Sequence, residues 1–207
     1  TQNLAKTFAE FAGKVEAARP AINGAFLIGH STLRFDAMNL DVGREASAVE
    51  IAVMRERLDQ SLQEGAVGMS SGLFYPPAMA ATTDEVAEVA KPLGKWDAVY
   101  TAHMRDESED ILKSMDETFE IGRRAGARIV VSHHKCAGRP NFGRMRETLP
   151  KFSDAMKQQE IAFDVYPYIA GSTILRSDML ERADKVLITW SDKVAGMSGR
   201  DLKDIAA

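Results

Sequence analysis

The 207-residue sequence has a single cysteine and no excess of positive charge. Cys136 cannot form a disulfide within the chain, and the sequence does not begin with a basic segment followed by an apolar stretch of the kind that directs export. We therefore expect a reducing, cytoplasmic location. Lys and Arg number 26 against 30 Asp and Glu, a formal charge of −4, which argues against a protein that binds nucleic acid through bulk positive charge.

Long apolar runs and phosphate-binding glycine motifs are also missing. No uninterrupted apolar segment approaches the roughly 18 residues that a membrane helix needs, so we expect no membrane partner. The first β-rich run is not followed by G-x-G-x-x-G, and G-x-x-x-x-G-K-[ST] does not occur, which argues against nucleotide and dinucleotide binding. Hydrophobic residues make up 45% and charged residues 27%, which is typical of a globular chain with a packed core.

The sequence instead shows a regular alternation of strand-like and helix-like segments. Apolar residues at helical spacing lie between the β-rich runs, which predicts parallel strands joined by helices, in a doubly wound sheet or a (β/α) barrel. Ser47 with Glu50 and Thr82 with Glu85 match the capping box, and Gly126 matches a helix C-terminus. The β-rich runs are Ala25–Gly29, Ala66–Met69, Ala98–Ala102, Arg128–Ser132, Ile161–Tyr166 and Lys185–Thr189.

Residues whose side chains can bind a metal ion or take part in a reaction follow several of these runs. His30, His103 and His133 each come directly after a predicted strand, and Tyr166 closes another. The carboxyl ends of parallel strands form one face, where sites of α/β folds are built, so we favour the barrel. A lone histidine is more often structural or solvated, but His103 and His133 on successive strands also fit a pair that binds zinc.

Three further segments allow a structural and a functional interpretation. Gly68–Pro77 fits a proline-stiffened connection or a substrate-facing loop with Phe74 or Tyr75 as its wall. Arg105-Asp106-Glu107 fits an acid/base cluster, although stabilisation of the following helix N-terminus is favoured. Lys135 is a solvated loop charge or a point charge that holds an anion, and Cys136 is expected to be a buried, inert thiol.

Six motifs together resemble the D-aminoacylases, that is, the N-acyl-D-amino-acid deacylases of the amidohydrolase superfamily. The resemblance covers almost the whole chain. It implies a (β/α)₈ barrel with a small companion β-domain, and zinc-dependent hydrolysis of N-acyl-D-amino acids to a carboxylate and a free D-amino acid. The motifs are Gly29-His-Ser-Thr-Leu-Arg34, Gly68-Met-Ser-Ser-Gly-Leu-Phe-Tyr-Pro-Pro77, Thr101-Ala-His-Met-Arg-Asp-Glu107, Ser132-His-His-Lys135, Asn141-Phe-Gly143 and Tyr166-Pro-Tyr-Ile-Ala-Gly-Ser-Thr173.

The resemblance also implies roles for individual residues. His103 and His133 match the two strand-end histidines that bind Zn²⁺ in the family, and His134 matches a neighbour without a defined role. The remaining positions contact the small-molecule N-acyl-D-amino acid: Phe74 matches the wall of the side-chain pocket, and the positions that grip the substrate α-carboxylate are Lys135, Tyr166 and Ser172.

The family pattern is incomplete in these 207 residues. The His-x-His of the first barrel strand and the ligand cysteine after it have no counterpart, and the catalytic aspartate of the last strand would lie beyond Ala207. We therefore expect residues 1–207 to form a single, incomplete α/β barrel domain. It would have about six of eight strand–helix units and lack the first and the last.

Four consequences follow from an incomplete barrel. The chain alone is expected to hold no catalytic residue of its own, to lack activity and to bind zinc weakly or not at all. Open barrel edges leave strand backbone unpaired, which favours self-association, and size-exclusion chromatography would detect this as a species larger than the monomer.

Two other functions are compatible with the same pattern. A cyclic-amide hydrolase of the dihydroorotase or hydantoinase kind shares metal-binding histidines on the same barrel. Such enzymes usually bridge two metals through a modified strand-end lysine, and Lys135 lies after its strand's histidine instead. A non-catalytic barrel domain that binds a small acid is the other alternative.

Overall fold

The computed structural model describes residues 5–174 and 183–206. Five strands form one parallel sheet in the order β1-β2-β3-β4-β5, so each strand pairs with the next one along the chain. The α/β class expected from the alternation is confirmed. The strands are β1 (Leu27–Gly29), β2 (Gly68–Gly72), β3 (Val99–His103), β4 (Arg128–Val131) and β5 (Ile161–Phe163).

Helices connect successive strands of the sheet. None of the helices within residues 5–174 and 183–206 is both long and apolar enough to cross a membrane. The helices are α1 (Phe8–Ala17), α2 (His30–Ala37), α3 (Ala48–Gln63), α4 (Pro76–Met79), α5 (Thr83–Ala90), α6 (Pro92–Lys95), α7 (Ile111–Ala125), α8 (Met145–Ala155) and α9 (Leu202–Ala206), with a 3₁₀ turn at Arg139–Asn141.

The chain divides into two compact units. The first consists of Thr1–Ala137 with Asn141–Tyr166 and contains the whole five-stranded sheet. The second consists of Gly138–Pro140 with Pro167–Ala207 and contains α9.

Five of the six predicted strands form, and the sixth does not. In Lys185–Thr189 the structure has one isolated antiparallel bridge, between Leu187 and Asp201, instead of a strand in the parallel sheet. A β-rich segment becomes a strand only when a neighbour pairs with it, and among the described residues 183–206 its pairing is limited to this bridge. The expectation that Tyr166 closes a strand is also wrong, because β5 ends at Phe163.

The helical periodicity places apolar side chains against the sheet as predicted. Residues at three- and four-residue spacing on α3, α5 and α7 are buried and face the same core as the inward side chains of β2 to β4. The buried residues of these helices include Met54, Leu58, Leu62, Val86, Val89, Ile111, Met115 and Phe119.

Two of the predicted helix ends are confirmed, and one is only half right. Ser47 and Glu50 form a reciprocal capping box, and Gly126 ends α7 in the left-handed conformation at φ +62°. The Thr82 side chain caps α5 by accepting from the Glu85 amide. The Glu85 side chain does not return to Thr82, because it is used in a buried ion pair.

That buried pair joins α2 to α5. The Arg34 guanidinium contacts the Glu85 carboxylate directly, and both side chains are almost completely buried. Arg34 also donates to the Pro77 carbonyl over 2.9 Å, and Glu85 accepts from the Ala46 amide over 3.0 Å. His30 Nε2 lies 3.3 Å from the same carboxylate. A buried charge is tolerated only when it is paired and hydrogen-bonded, as both charges are here.

We expect Arg34→Ala to lower the free energy of unfolding by about 3–5 kcal/mol, because it leaves Glu85 as an unpaired buried charge. The matched control is Arg55→Ala, which breaks an exposed pair with Glu88 and should cost less than about 1 kcal/mol. Urea unfolding followed by circular dichroism measures both losses. Equal losses for the two variants would contradict the importance of the buried pair.

We also expect the fold to lose stability in acid. Burial alone raises the pKa of Glu85, but the approach of His30 and the hydrogen bonds from Arg34 and the Ala46 amide outweigh it and lower the pKa to about 2. The stabilisation is therefore complete above the unfolded pKa of 4.5 and is lost as the pH falls towards 2, at most about 3 kcal/mol. Burial lowers the pKa of His30, which weakens the fold below about pH 6.5 in the same direction.

The measurement is the free energy of unfolding as a function of pH. Glu85→Gln should flatten the curve below about pH 4.5, whereas Asp97→Asn, at an 88% exposed carboxylate, should leave the wild-type slope unchanged. A Glu85→Gln variant with the wild-type slope would rule out this source of acid sensitivity.

Candidate functional site

Neighbouring strands bring His103 and His133 together at the carboxyl edge of the sheet. His103 is the last residue of β3, and His133 lies two residues beyond the end of β4. Their ring centroids are 4.6 Å apart, and His103 Nδ1 lies 3.0 Å from His133 Nε2. Both rings are partly buried. Two imidazole nitrogens that face each other at this distance form a site for a cation or a shared proton.

The backbone at His133 is held in an uncommon conformation. Its φ is +41°, in the left-handed region that non-glycine residues rarely adopt. Asp164 stabilises the turn, since its carboxylate accepts from the His133 amide over 2.7 Å and its carbonyl accepts from the His134 amide over 2.8 Å. The turn directs His133 towards His103 and His134 into the core.

A carboxylate that was not among the predicted site residues completes the cluster. Glu107 Oε1 lies 3.0 Å from His133 Nδ1, and Glu107 Oε2 lies 4.0 Å from His103 Nε2. Its side chain is only 10% exposed. One potential ligand atom from each of these three residues lies within 4.8 Å of the other two. The geometry of this cluster is that of a candidate metal centre.

The sequence interpretation favoured a role for Asp106 and Glu107 at the following helix N-terminus. Asp106 instead accepts from the amides of Ser108 and Asp110 in the loop before α7, and Glu107 faces the histidines. The feature of the sequence that pointed to this contact is Glu107, a carboxylate four residues after the strand-end His103. That spacing alone does not say which way a loop side chain points.

Lys135 adds a positive charge to the same cluster. Its Nζ lies 2.5 Å from Glu107 Oε2 and 2.9 Å from His133 Nδ1, and it donates to the His133 carbonyl over 3.0 Å. The ammonium also lies 5.8 Å from the centre of the Tyr166 ring. Tyr166 is partly buried, and burial raises the pKa of its phenol, which keeps the hydroxyl protonated at neutral pH. Lys135 and Tyr166 therefore offer a cation and a hydrogen-bond donor beside the histidines.

An aromatic wall lies on another side of His103. The Phe74 ring is 5.6 Å and the Tyr75 ring 4.9 Å from the His103 ring, measured between centroids. The loop that carries them is fixed by two arginines, since Arg34 donates to the Pro77 carbonyl and Arg105 donates to the Met79 carbonyl over 2.8 Å. The Gly68–Pro77 segment is thus both a stiff connection and one wall of the cluster.

The surroundings keep His103 uncharged at neutral pH. Burial, with smaller electrostatic contributions from the neighbouring His133 and Lys135, lowers the pKa of His103 to about 4. A neutral imidazole has a lone pair available, which metal binding requires. His103 therefore has a lone pair available for a metal ion at neutral pH.

Of four other residues singled out in the sequence, three have structural surroundings and one belongs to the second unit. His134 is buried against Phe152 and lies within hydrogen-bonding distance of Thr148, and Cys136 packs beside the core, where burial raises its pKa. His30 is completely buried beside Glu85. Ser172 is exposed and belongs to the second unit.

The chain has close relatives among characterised proteins, although no model of a protein family matches it. It is 46% identical over 200 residues to a D-aminoacylase of Alcaligenes xylosoxydans xylosoxydans, and 45% identical over 202 residues to an N-acyl-D-aspartate deacylase of the same organism. An N-acyl-D-glutamate deacylase from this source is 38% identical. These matches cover 96–97% of this chain but only 40–41% of the relatives.

Solved structures agree with the sequence matches. A D-aminoacylase whose binuclear metal centre was studied aligns with a TM-score of 0.92 at 46% identity, over 97% of this chain and 42% of that one. An N-acyl-D-glutamate deacylase from Bordetella bronchiseptica, complexed with zinc and a phosphonate mimic of the tetrahedral intermediate, aligns with the same TM-score at 38% identity. The chain spans about two fifths of the relatives it matches and, over that length, it is similar to D-aminoacylases and N-acyl-D-amino-acid deacylases.

Proposed function

We propose that the protein carrying this chain hydrolyses the amide bond of N-acyl-D-amino acids, and that His103 and His133 hold its metal ion. The observation that supports this most strongly is the pair of ring nitrogens facing each other over 3.0 Å at the carboxyl edge of the sheet. The relatives named D-aminoacylase and N-acyl-D-amino-acid deacylase supply the reaction class.

The donor set suits zinc. Histidine nitrogens bind zinc at about 2.0–2.1 Å, and tetrahedral geometry then places two such nitrogens roughly 3.3 Å apart, close to the separation found here. When bound, zinc activates water and polarises the amide carbonyl. The low pKa of His103 keeps its ring in the neutral form that binds a metal.

The residues around the histidines suit the rest of the substrate. The Lys135 ammonium and the Tyr166 hydroxyl bind the α-carboxylate by charge and hydrogen bonding. Phe74 forms the wall for the amino-acid side chain. A carboxylate, a side chain and an amide held at three separate points distinguish the D from the L configuration, because the mirror image cannot satisfy all three.

Among the described residues we assign no catalytic acid or base, and we propose that an aspartate outside these 207 residues supplies it. Glu107 is not this group in our proposal, because it already binds Lys135 and His133. We therefore also propose that the 207-residue chain, a single incomplete barrel domain, does not turn over substrate by itself.

The test compares the 207-residue chain with the complete product of the gene that encodes it. We expect the complete product to release acetate from N-acetyl-D-amino acids, to leave the L-isomers intact and to retain zinc through dialysis. His133→Ala should abolish acetate release and zinc retention. His134→Gln, which keeps a polar partner for Thr148, is the matched control and should retain both. The chain alone should release no acetate.

Specific outcomes would overturn parts of this proposal. Turnover by the 207-residue chain at the rate of the complete product would show that the catalytic group lies within it. Hydrolysis of hydantoin or dihydroorotate in place of N-acetyl-D-amino acids would favour the cyclic-amide alternative. Full zinc retention in His133→Ala would remove His133 from the metal site.

A further inference from the structure

We infer that Glu107 is a positioning residue that fixes the tautomer of His133, so that Nδ1 carries the proton and Nε2 faces His103 with a free lone pair. The inference rests on the proposed metal role of the two histidines. It assigns a function to a carboxylate that the sequence interpretation had placed at a helix end.

His133 Nδ1 has two close neighbours with opposite demands. Glu107 Oε1, at 3.0 Å, belongs to a carboxylate, which only accepts hydrogen bonds. Lys135 Nζ, at 2.9 Å, belongs to an ammonium, which only donates. In a neutral ring Nδ1 either donates or accepts, so only one of these contacts is a hydrogen bond at any time.

A hydrogen bond from His133 Nδ1 to the Glu107 carboxylate can form while Lys135 keeps acceptors for its own hydrogens. The Lys135 ammonium has three rotatable hydrogens and two other acceptors, namely Glu107 Oε2 at 2.5 Å and the His133 carbonyl at 3.0 Å. It can therefore turn its hydrogens away from Nδ1. Glu107 Oε1 cannot change its character, and a bare Nδ1 would place two lone pairs 3.0 Å apart.

A proton on Nδ1 leaves the lone pair of His133 on Nε2. That atom is the one that lies 3.0 Å from His103 Nδ1. The opposite tautomer would place an N–H bond where the metal ion should bind. Carboxylates behind metal-binding histidines commonly set ring orientation and tautomer in this way.

Glu107 also couples the two halves of the site. Oε1 of Glu107 contacts the proposed metal ligand His133. Oε2 pairs with the Lys135 ammonium, which we assign to the substrate α-carboxylate. The Glu107 carbonyl accepts from the Ala137 amide over 2.7 Å, which fastens its loop to the loop after β4. The low exposure of the side chain keeps water from replacing these contacts.

The experiment measures the tautomer directly and without metal. It uses the imidazole nitrogen chemical shifts of the isotopically labelled 207-residue chain at mildly alkaline pH. The wild type should show a protonated Nδ1 and a bare Nε2 at His133. Glu107→Ala should shift the population to the Nε2–H form, in which Nδ1 accepts from Lys135. Asp106→Asn changes a carboxylate of the same loop that binds Ser108 and Asp110, and should leave the His133 signals unchanged.

Glu107→Gln is the conservative variant, because it keeps the side-chain volume but loses the charge. Its amide oxygen is a weaker acceptor, so the Nδ1–H population should lie between those of the wild type and Glu107→Ala. This variant decides the question if Glu107→Ala loses the near-native circular dichroism of the fold. A His133 that keeps the Nδ1–H form in every folded Glu107 variant would overturn the inference.

A zinc titration of the same chains separates this inference from the proposed function. If zinc shifts the His103 and His133 signals of the wild type, Glu107→Ala should need about 10–100-fold more zinc for the same shift. An equal requirement would contradict the positioning role. The proposed metal function fails if zinc shifts neither histidine signal of the chain and also does not bind the complete gene product. In that case the metal-free tautomer measurement still decides the role of Glu107.

Discussion

Parallel pairing between β3 and β4 is the constraint on which the site depends. Ala102 pairs with Val131, so both strands end at the same edge of the sheet, and the residues just beyond this pair, His103 and His133, meet although they are 30 positions apart. The side chains of Tyr100 on β3 and Val131 on β4 are buried in the core and anchor the two strands. An ion between the histidines would therefore lie at the ends of two strands that are anchored in the core.

Paired charges hold the elements around that edge. Arg34 and Glu85 lock α2 to α5 in the interior, and Glu107 with Lys135 does the same beside the histidines. In both places a half-buried or buried charge is satisfied by a counter-charge and by backbone groups, so removing one partner leaves the other in an unfavourable environment. Charge pairing therefore contributes to stability at Arg34 and Glu85, and it orients a candidate metal ligand at Glu107 and Lys135.

The cluster has an apolar side and a charged side. Phe74 and Tyr75 lie near His103, whereas Lys135 lies near His133 and the Tyr166 ring lies near Lys135. An N-acyl amino acid has the same division, with a carboxylate on one side of the scissile amide and a variable side chain on the other. Two relatives are named for N-acyl-D-aspartate and N-acyl-D-glutamate, which share the D configuration and the α-carboxylate and differ in the side chain.

The sequence by itself determined the alternation of strands and helices, the apolar helix faces, the Ser47 capping box and the strand-end positions of His103 and His133, because these depend on local spacing and propensity. It could not place Glu107 or Glu85, whose partners lie far along the chain, and it predicted a strand at Lys185–Thr189, where the structure has an isolated antiparallel bridge instead. Only the tertiary structure decided these, since the direction of a loop side chain and the pairing of a strand are set by contacts between residues distant in sequence.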